Sequence, residues 1–173
     1  AYLITNGHCA QSWDANGVFI DLPAEGWSAT FNYFADNPDA HLTVPAARVA
    51  YSTMKGRDVA IVELAATVGE LQEQGITPLP LAIAEPDGMF RLRVVGAPDT
   101  GMPADLAYLR EEQCLATGRA NVFEFIWHFD DTFRNSCQDI YGGSSGSPVF
   151  DADLHAIVGL MNTTTVGGLT PCG

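Results

Sequence analysis

Along the chain, apolar residues recur at alternate positions in short runs interrupted by glycine and proline, the period of strands buried on one face. Trp27, Ala29, Phe31 and Tyr33 fall on one such face before Asp36-Asn37-Pro38-Asp39 turns the chain. Ala47, Val49 and Tyr51 alternate with Arg48 and Ala50 in a second run. From Asp58 to Leu64 both faces are apolar until Glu63, as in a strand enclosed by a barrel or sandwich. Leu92, Val94 and Gly96 alternate with Arg91, Arg93 and Val95. Phe123, Phe125, Trp127 and Phe129 form an aromatic face, which predicts core or inter-sheet packing rather than a ligand box. Pro148-Val149-Phe150 and Ala156 to Leu160, joined by the polar Asp151-Ala152-Asp153, predict a hairpin.

One stretch departs from this period. Leu64, Val68 and Leu71 are spaced as on a helix, but Gly69 and the β-branched Thr67 and Val68 weaken it, so a loop or one short helix is expected. The proline-rich segment from Thr77 to Gly88 reads as a linker. No internal repeat or low-complexity tract interrupts the pattern. The expectation is an all-β chain of two parts, an N-terminal barrel over residues 1-80 and a C-terminal barrel over 81-173.

Composition narrows the function. With 173 residues, 47% of them apolar, the chain can bury a real core, which excludes disorder and a short stapled peptide. Eight Lys and Arg against 21 Asp and Glu give a net charge of −13, which would repel phosphate backbones and anionic lipid. Nucleic acid and membrane surfaces are therefore poor partners, and no apolar run approaches the ~18 residues of a membrane span. The chain opens on Ala1 and at once reads as strand interior, so a processed, excised or truncated stretch is expected. Four cysteines, Cys9, Cys114, Cys137 and Cys172, allow three full pairings, and none lies in a C-x-x-C. Zinc and thioredoxin-like redox chemistry thereby lose their usual signature.

Three patterns carry candidate chemistry: Thr5-Asn6-Gly7-His8-Cys9, Arg57-Asp58-Val59-Ala60-Ile61-Val62 and Gly142-Gly143-Ser144-Ser145-Gly146-Ser147-Pro148. A serine hydroxyl is a poor nucleophile until an imidazole accepts its proton, and the imidazole needs a carboxylate to fix its tautomer. The resulting oxyanion needs backbone N–H donors, which glycines before the serine let the chain aim at one point; Gly143 and Ser145 could supply them. His41, His128 and His155 have no comparable context, and Asp151, Asp153 and His155 read as turn chemistry rather than metal ligands. A rival lies inside the serine motif, since Gly142-Gly143-Ser144-Ser145-Gly146 also satisfies the G-x-S-x-G nucleophile elbow of α/β-hydrolases, with Ser144 as nucleophile. That fold needs a helix after the serine and its Asp and His downstream, whereas Ser147-Pro148-Val149-Phe150 is strand-like.

The order His8, Asp58, Ser145, with the N-G-H-C, R-D-V-A-I-V and G-S-S-G-S-P motifs, resembles the trypsin-like (chymotrypsin-fold) serine proteases. The spacings, 50 residues from His8 to Asp58 and 87 from Asp58 to Ser145, fit as well. Cys137-Gln138-Asp139-Ile140-Tyr141-Gly142-Gly143 and the Gly-Ser-Pro after the nucleophile are similar to the bacterial secreted branch that includes glutamyl endopeptidases. The resemblance implies two antiparallel six-stranded Greek-key β-barrels and hydrolysis of peptide bonds in protein or peptide substrates through an acyl-enzyme. His8 would be the general base, Asp58 its orienting carboxylate, Ser145 the nucleophile, and the Gly143 and Ser145 amides the oxyanion hole. It implies no cofactor and no metal, and a secreted or periplasmic location.

Asp139, Ile140 and Tyr141 correspond to the wall of the primary pocket, and Met161, Asn162 and Thr163 to the edge that pairs with substrate backbone. Glutamyl endopeptidases bear a hydroxyl residue in place of Ile140 and a histidine in place of Met161, and losing those donors disfavours a glutamate side chain. An apolar or aromatic preference is expected, or Arg and Lys if Asp139 faces the pocket. Ser144 replaces the aspartate that pairs with a new N-terminus in trypsin-type activation, so that switch is expected to be absent. Similar bacterial enzymes imply a Cys114–Cys137 disulfide, with Cys137–Cys172 as the competitor. Relatives have two strands before the histidine and further elements after the substrate edge. These would come from a longer chain or a second chain. The alternative to an enzyme is a catalytically inactive protease homologue or fragment acting as a protein-binding module.

Overall fold

The computed structural model describes residues 1–10, 13–101, 103–138 and 140–163. They fall into two compact units, Ala1–Leu79 and Pro80–Gly173, each built on one five-stranded antiparallel sheet. Five strands per sheet, rather than six, are present among the described residues.

In the first unit β1 (Tyr2–Thr5), β5 (Val59–Leu64), β4 (Leu42–Thr53) and β2 (Val18–Pro23) lie in that order, and β3 (Ser28–Phe31) pairs with β4. β5, expected to be enclosed on both faces, buries only one: Ala60, Val62 and Leu64 are buried, while Val59, Ile61 and Glu63 on the other face are half-buried. In β4 the alternation slips. Register shifts leave Ala47 and Ala50 opposite no partner, so Ala47 is exposed while Val49 and Ser52 are buried. An extra residue in one strand reverses which side chains face the core. Val49, Ala60, Ala24 and Ala10 form one core cluster with Leu22 and Trp27; Val44, Leu64 and Leu71 form another with Ala29 and Phe31. Each large side chain removed from water contributes about 1.5–3 kcal/mol.

The ambiguous stretch after β5 resolves as α1 (Val68–Glu73). Thr67 starts it through a capping box: its hydroxyl accepts the Glu70 N–H at 3.2 Å, and the Glu70 carboxylate accepts the Thr67 N–H at 2.7 Å. These bonds hold the Glu70 carboxyl below its ordinary range. Leu71 anchors the helix in the core.

In the second unit the order is β10 (Ala156–Leu160), β9 (Pro148–Asp151), β6 (Arg91–Gly96), β7 (Arg110–Glu124) and β8 (Trp127–Asn135). Leu92, Val94, Ala116, Val149 and Met161 form its core. The predicted β9–β10 hairpin is present, and Asp151, 5% exposed, accepts the N–H groups of Asp153 and Leu154 at 2.8 and 3.0 Å. Asp151 thus serves the turn, as its sequence context suggests. A disulfide joins Cys114 on β7 to Cys137; Cys172 lies outside the described residues.

The aromatic face is a correction. Phe129 is buried, but Phe123 and Phe125 are 75% and 93% exposed. The run is not one strand: β7 pairs with β8 through Glu124 and Trp127, and Phe125-Ile126 forms the two-residue turn between them. The hairpin carries these aromatic rings past the end of the core, with Phe123 stacked on His128 at 4.1 Å. No helix among the described residues is long and apolar enough to cross a membrane.

Candidate active site

His8 opens a short 3-10 turn (His8–Ala10) just after β1, and Asp58 directly precedes β5. The β1–β5 pairing, in register from Tyr2 opposite Glu63 to Thr5 opposite Ala60, brings the two residues together. His8 Nδ1 lies 2.6 Å from Asp58 Oδ2, and the His8 backbone N–H donates to Asp58 Oδ1 at 3.0 Å. The carboxylate side chain is 1% exposed and the imidazole 23%. A buried carboxylate costs free energy unless its oxygens are bonded, and here both are.

Two residues that sequence reading treated only as neighbours hold this pair. Asn6, 1% exposed, donates its side-chain N–H to the Asp58 carbonyl at 2.9 Å. A Cβ at Gly7 would stand 2.2 Å from the Thr53 carbonyl oxygen and 3.1 Å from Asp58 Oδ1, so only glycine lets the chain pass. The hydrogen bond that the imidazole donates to Asp58, helped by the Cys9 side chain and opposed by burial, pushes the His8 pKa up to about 10. The imidazole therefore carries its proton at neutral pH and accepts another group's proton only after losing it.

In the second unit, Gly142 to Ser147 form a chain reversal leading into β9. The Gly142 carbonyl accepts the N–H groups of Asp99 and Thr100 at 2.9 and 3.1 Å. Gly143 adopts φ +91°, and a Cβ there would meet the Asp99 backbone nitrogen at 2.5 Å. The Asp99-Thr100 loop, unremarked in the sequence beyond its turn residues, thus shapes the serine turn. The Ser144 N–H donates to the Tyr141 carbonyl at 3.0 Å and the Gly146 N–H to Met161 at 2.8 Å. Among the described residues the Gly143 N–H has no acceptor. Ser145 is half-buried, and its hydroxyl donates to the Asn162 carbonyl at 3.5 Å.

Ser144, the rival nucleophile, is 3% exposed, and the segment after it is the strand β9, not the helix an elbow requires. Ile140 packs against the core and lines a cavity with Ser144; Tyr141 is exposed. Met161 is buried in the core, and Asn162 and Thr163 continue past the end of β10. Asp139 lies outside the described residues. His41 binds the Phe34 carbonyl, and His128 pairs with Asp130. Among the described residues no cluster of His, Cys, Asp or Glu could hold a metal ion.

The model of the trypsin-like peptidase domain matches residues 1–160 of this chain. The chain belongs to the trypsin-like peptidases. No curated protein matches this peptidase in sequence. Solved structures share its chymotrypsin-like double-barrel fold. The Rv3671c protease in its inactive form aligns at TM-score 0.60 and 16% identity over 98% of this chain and 71% of its own. The active form of the Rv3671c protease from M. tuberculosis gives 0.59 and 17%, covering 95% of this chain and 60% of that one. The thermostable serine protease AL20 from an extremophilic microorganism gives 0.55 and 18%, covering 96% of this chain and 74% of its own.

Proposed function

We propose that this trypsin-like peptidase is a serine endopeptidase that cleaves proteins through an acyl-enzyme at Ser145. The observation that carries the reading is the His8–Asp58 pair, with Nδ1 held at 2.6 Å by a buried carboxylate whose other oxygen binds the His8 N–H. That arrangement leaves Nε2 as the only ring nitrogen able to take a proton. Residues 1-80 supply base and orienting carboxylate, and residues 81-173 supply the nucleophile.

In the proposed reaction Ser145 Oγ attacks the scissile carbonyl as neutral His8 takes its proton at Nε2. Asp58 stabilises the imidazolium so formed. The Gly143 and Ser145 amides receive the negative charge on the carbonyl oxygen, and His8 returns the proton to the leaving amine. Water then hydrolyses the ester by the same path in reverse. Gly143, whose N–H has no acceptor among the described residues, supports this role for the turn.

The Cys114–Cys137 disulfide supports a secreted or periplasmic setting, and the proposal includes the resemblance around Gly142 to the bacterial secreted branch, without that branch's glutamate preference. Ile140 and the buried Met161 offer no donor for a carboxylate side chain. A peptide panel presenting Phe or Leu, Arg or Lys, and Glu before the scissile bond tests both points. Cleavage abolished by Ser145→Ala is expected, with Glu the poorest site. Equal cleavage by Ser145→Ala protein refutes the mechanism, and a folded protein inert to every peptide favours the binding-module alternative.

A further inference from the structure

Asn-Gly occurs twice in the chain, at Asn6-Gly7 and at Asn16-Gly17. The dipeptide is chemically labile, because glycine carries no side chain to keep its nitrogen away from the asparagine amide carbon. The sequence does not tell the two copies apart; the structure does. At Asn6 the reaction is blocked. Its side chain is 1% exposed, its amide nitrogen donates to the Asp58 carbonyl at 2.9 Å, and Gly7 is packed on β4, where a Cβ would stand 2.2 Å from the Thr53 carbonyl oxygen. Asn6 Oδ1 is buried with no hydrogen-bond partner among the described residues. Attack on the amide moves negative charge onto that oxygen, and a buried oxyanion that meets neither water nor a donor is costly.

Asn16-Gly17 is placed differently. It lies in the turn that leads into β2, and Asn16 is exposed, so water reaches its amide. Asp14 holds the turn: its carboxylate accepts the Asn16 N–H at 2.9 Å and its carbonyl accepts the Gly17 N–H at 3.2 Å. The second bond is at the long end of the hydrogen-bond range, so the Gly17 nitrogen is released at little cost. The turn also bears on the candidate site. The Gly17 carbonyl accepts the Thr53 hydroxyl at 2.7 Å, and the Thr53 carbonyl is the group packed on Gly7, directly before His8.

We propose that Asn16-Gly17 is a site of spontaneous modification, at which the Gly17 backbone nitrogen displaces ammonia from the Asn16 side chain and the turn loses its hold on Thr53. The Gly17 nitrogen gives its proton to water or hydroxide and bonds to Asn16 Cγ. The Cγ–Nδ2 bond breaks, and the amide nitrogen leaves as ammonia after taking up a proton. Water then opens the succinimide: hydrolysis of the Cγ–N bond gives aspartate, and hydrolysis of the bond to the Asn16 main-chain carbonyl gives isoaspartate. Isoaspartate adds a methylene to the main chain just before Gly17, which shifts the carbonyl that faces Thr53. Either product adds a negative charge to a chain already at −13. The reaction uses neither His8 nor Ser145 and stands apart from the peptidase reading.

The test is incubation of folded Ser145→Ala protein, chosen to prevent self-digestion, in mildly alkaline buffer, followed by peptide mass spectrometry and enzymatic methylation of isoaspartate. Conversion of amide to acid at Asn16 is expected, at least tenfold faster than at Asn6, with isoaspartate among the products. In denaturant the two sites should convert at similar rates. The mass gain requires loss of an amide, so isomerisation at the exposed Asp87-Gly88 does not enter the count. Gly17→Ala should slow the reaction at Asn16 at least tenfold. Aged protein should unfold at a lower denaturant concentration than equally aged protein carrying Asn16→Ser. An unconverted Asn16 in the folded protein, or conversion of Asn6 at the same rate, overturns the proposal. Conversion at Asn16 with an unchanged unfolding midpoint overturns the link to Thr53.

Discussion

His8 and Asp58 are joined twice: the carboxylate accepts the imidazole N–H through one oxygen at 2.6 Å and the histidine's own backbone N–H through the other at 3.0 Å. The backbone bond fixes where the carboxylate sits, and the ring bond then fixes which imidazole nitrogen is left for chemistry. Neutralising Asp58 with little change of shape, as in Asp58→Asn, removes the preference for that tautomer. We predict a fall in kcat of about 10⁴-fold, the size expected when a triad carboxylate is lost, with kcat measured on the best peptide of the panel.

The same pair sets the pH dependence of activity. His8 must be neutral to act as base, and its pKa is pushed up to about 10, chiefly by the Asp58 hydrogen bond. In the wild type kcat/KM should rise with pH and level off only in the alkaline range, whereas the residual activity of Asp58→Asn should level off at much lower pH. Coincident profiles for the two proteins would separate the base from this histidine.

Stability should follow the opposite course. Because the folded pKa of His8 lies above its unfolded value near 6.5, the pair's contribution is fully present below pH 6.5 and is lost as pH rises through about 10. Denaturant unfolding of wild type and Asp58→Asn between pH 5.5 and pH 10 should therefore show a gap that is widest at the acid end and closes toward the alkaline end.

Gly143 combines a positive φ with a backbone neighbour 2.5 Å from where a Cβ would be. In Gly143→Ala the turn must shift to admit the methyl group, which re-aims its amide. The expected result is a loss of about 10²–10³-fold in kcat, the worth of one oxyanion donor, with the Cys114–Cys137 disulfide still formed. Retention of full activity would show that this amide does not receive the oxyanion.

Phe125 holds φ +53° at the first position of a two-residue hairpin turn while 93% exposed. An L-residue with a bulky side chain is strained there, and glycine is the residue such turns prefer. Phe125→Gly should leave catalysis unchanged and raise stability by up to ~1 kcal/mol, read from chemical denaturation. A marked loss of stability would mean that the edge-to-face contact of Phe125 with Trp127, 6.2 Å between ring centroids, outweighs the strain.

What the sequence revealed, and what it hid, follows from how far each signal reaches. His8, Asp58 and Ser145 stand in local motifs whose glycines and polar residues have few other uses, so the candidate chemistry was legible along with the all-β class. Alternation identified β6, where Leu92 and Val94 are buried, a run apolar on both faces identified β5, and the polar Asp151-Ala152-Asp153 between two apolar runs identified the β9–β10 hairpin. Alternation failed at Phe123–Phe129, where a turn without glycine or asparagine lies inside a continuous aromatic alternation, and at Ala47, where bulges change the face midway.

The central claim is that Ser145 is an activated nucleophile, and covalent labelling tests it most directly. The protein is treated with a fluorophosphonate and the modified residue is located by mass spectrometry. The account predicts a single phosphonyl adduct on Ser145, slowed greatly by Asp58→Asn and absent from Ser145→Ala. An unlabelled but folded protein, or an adduct on Ser144 that persists in Ser145→Ala, would contradict it.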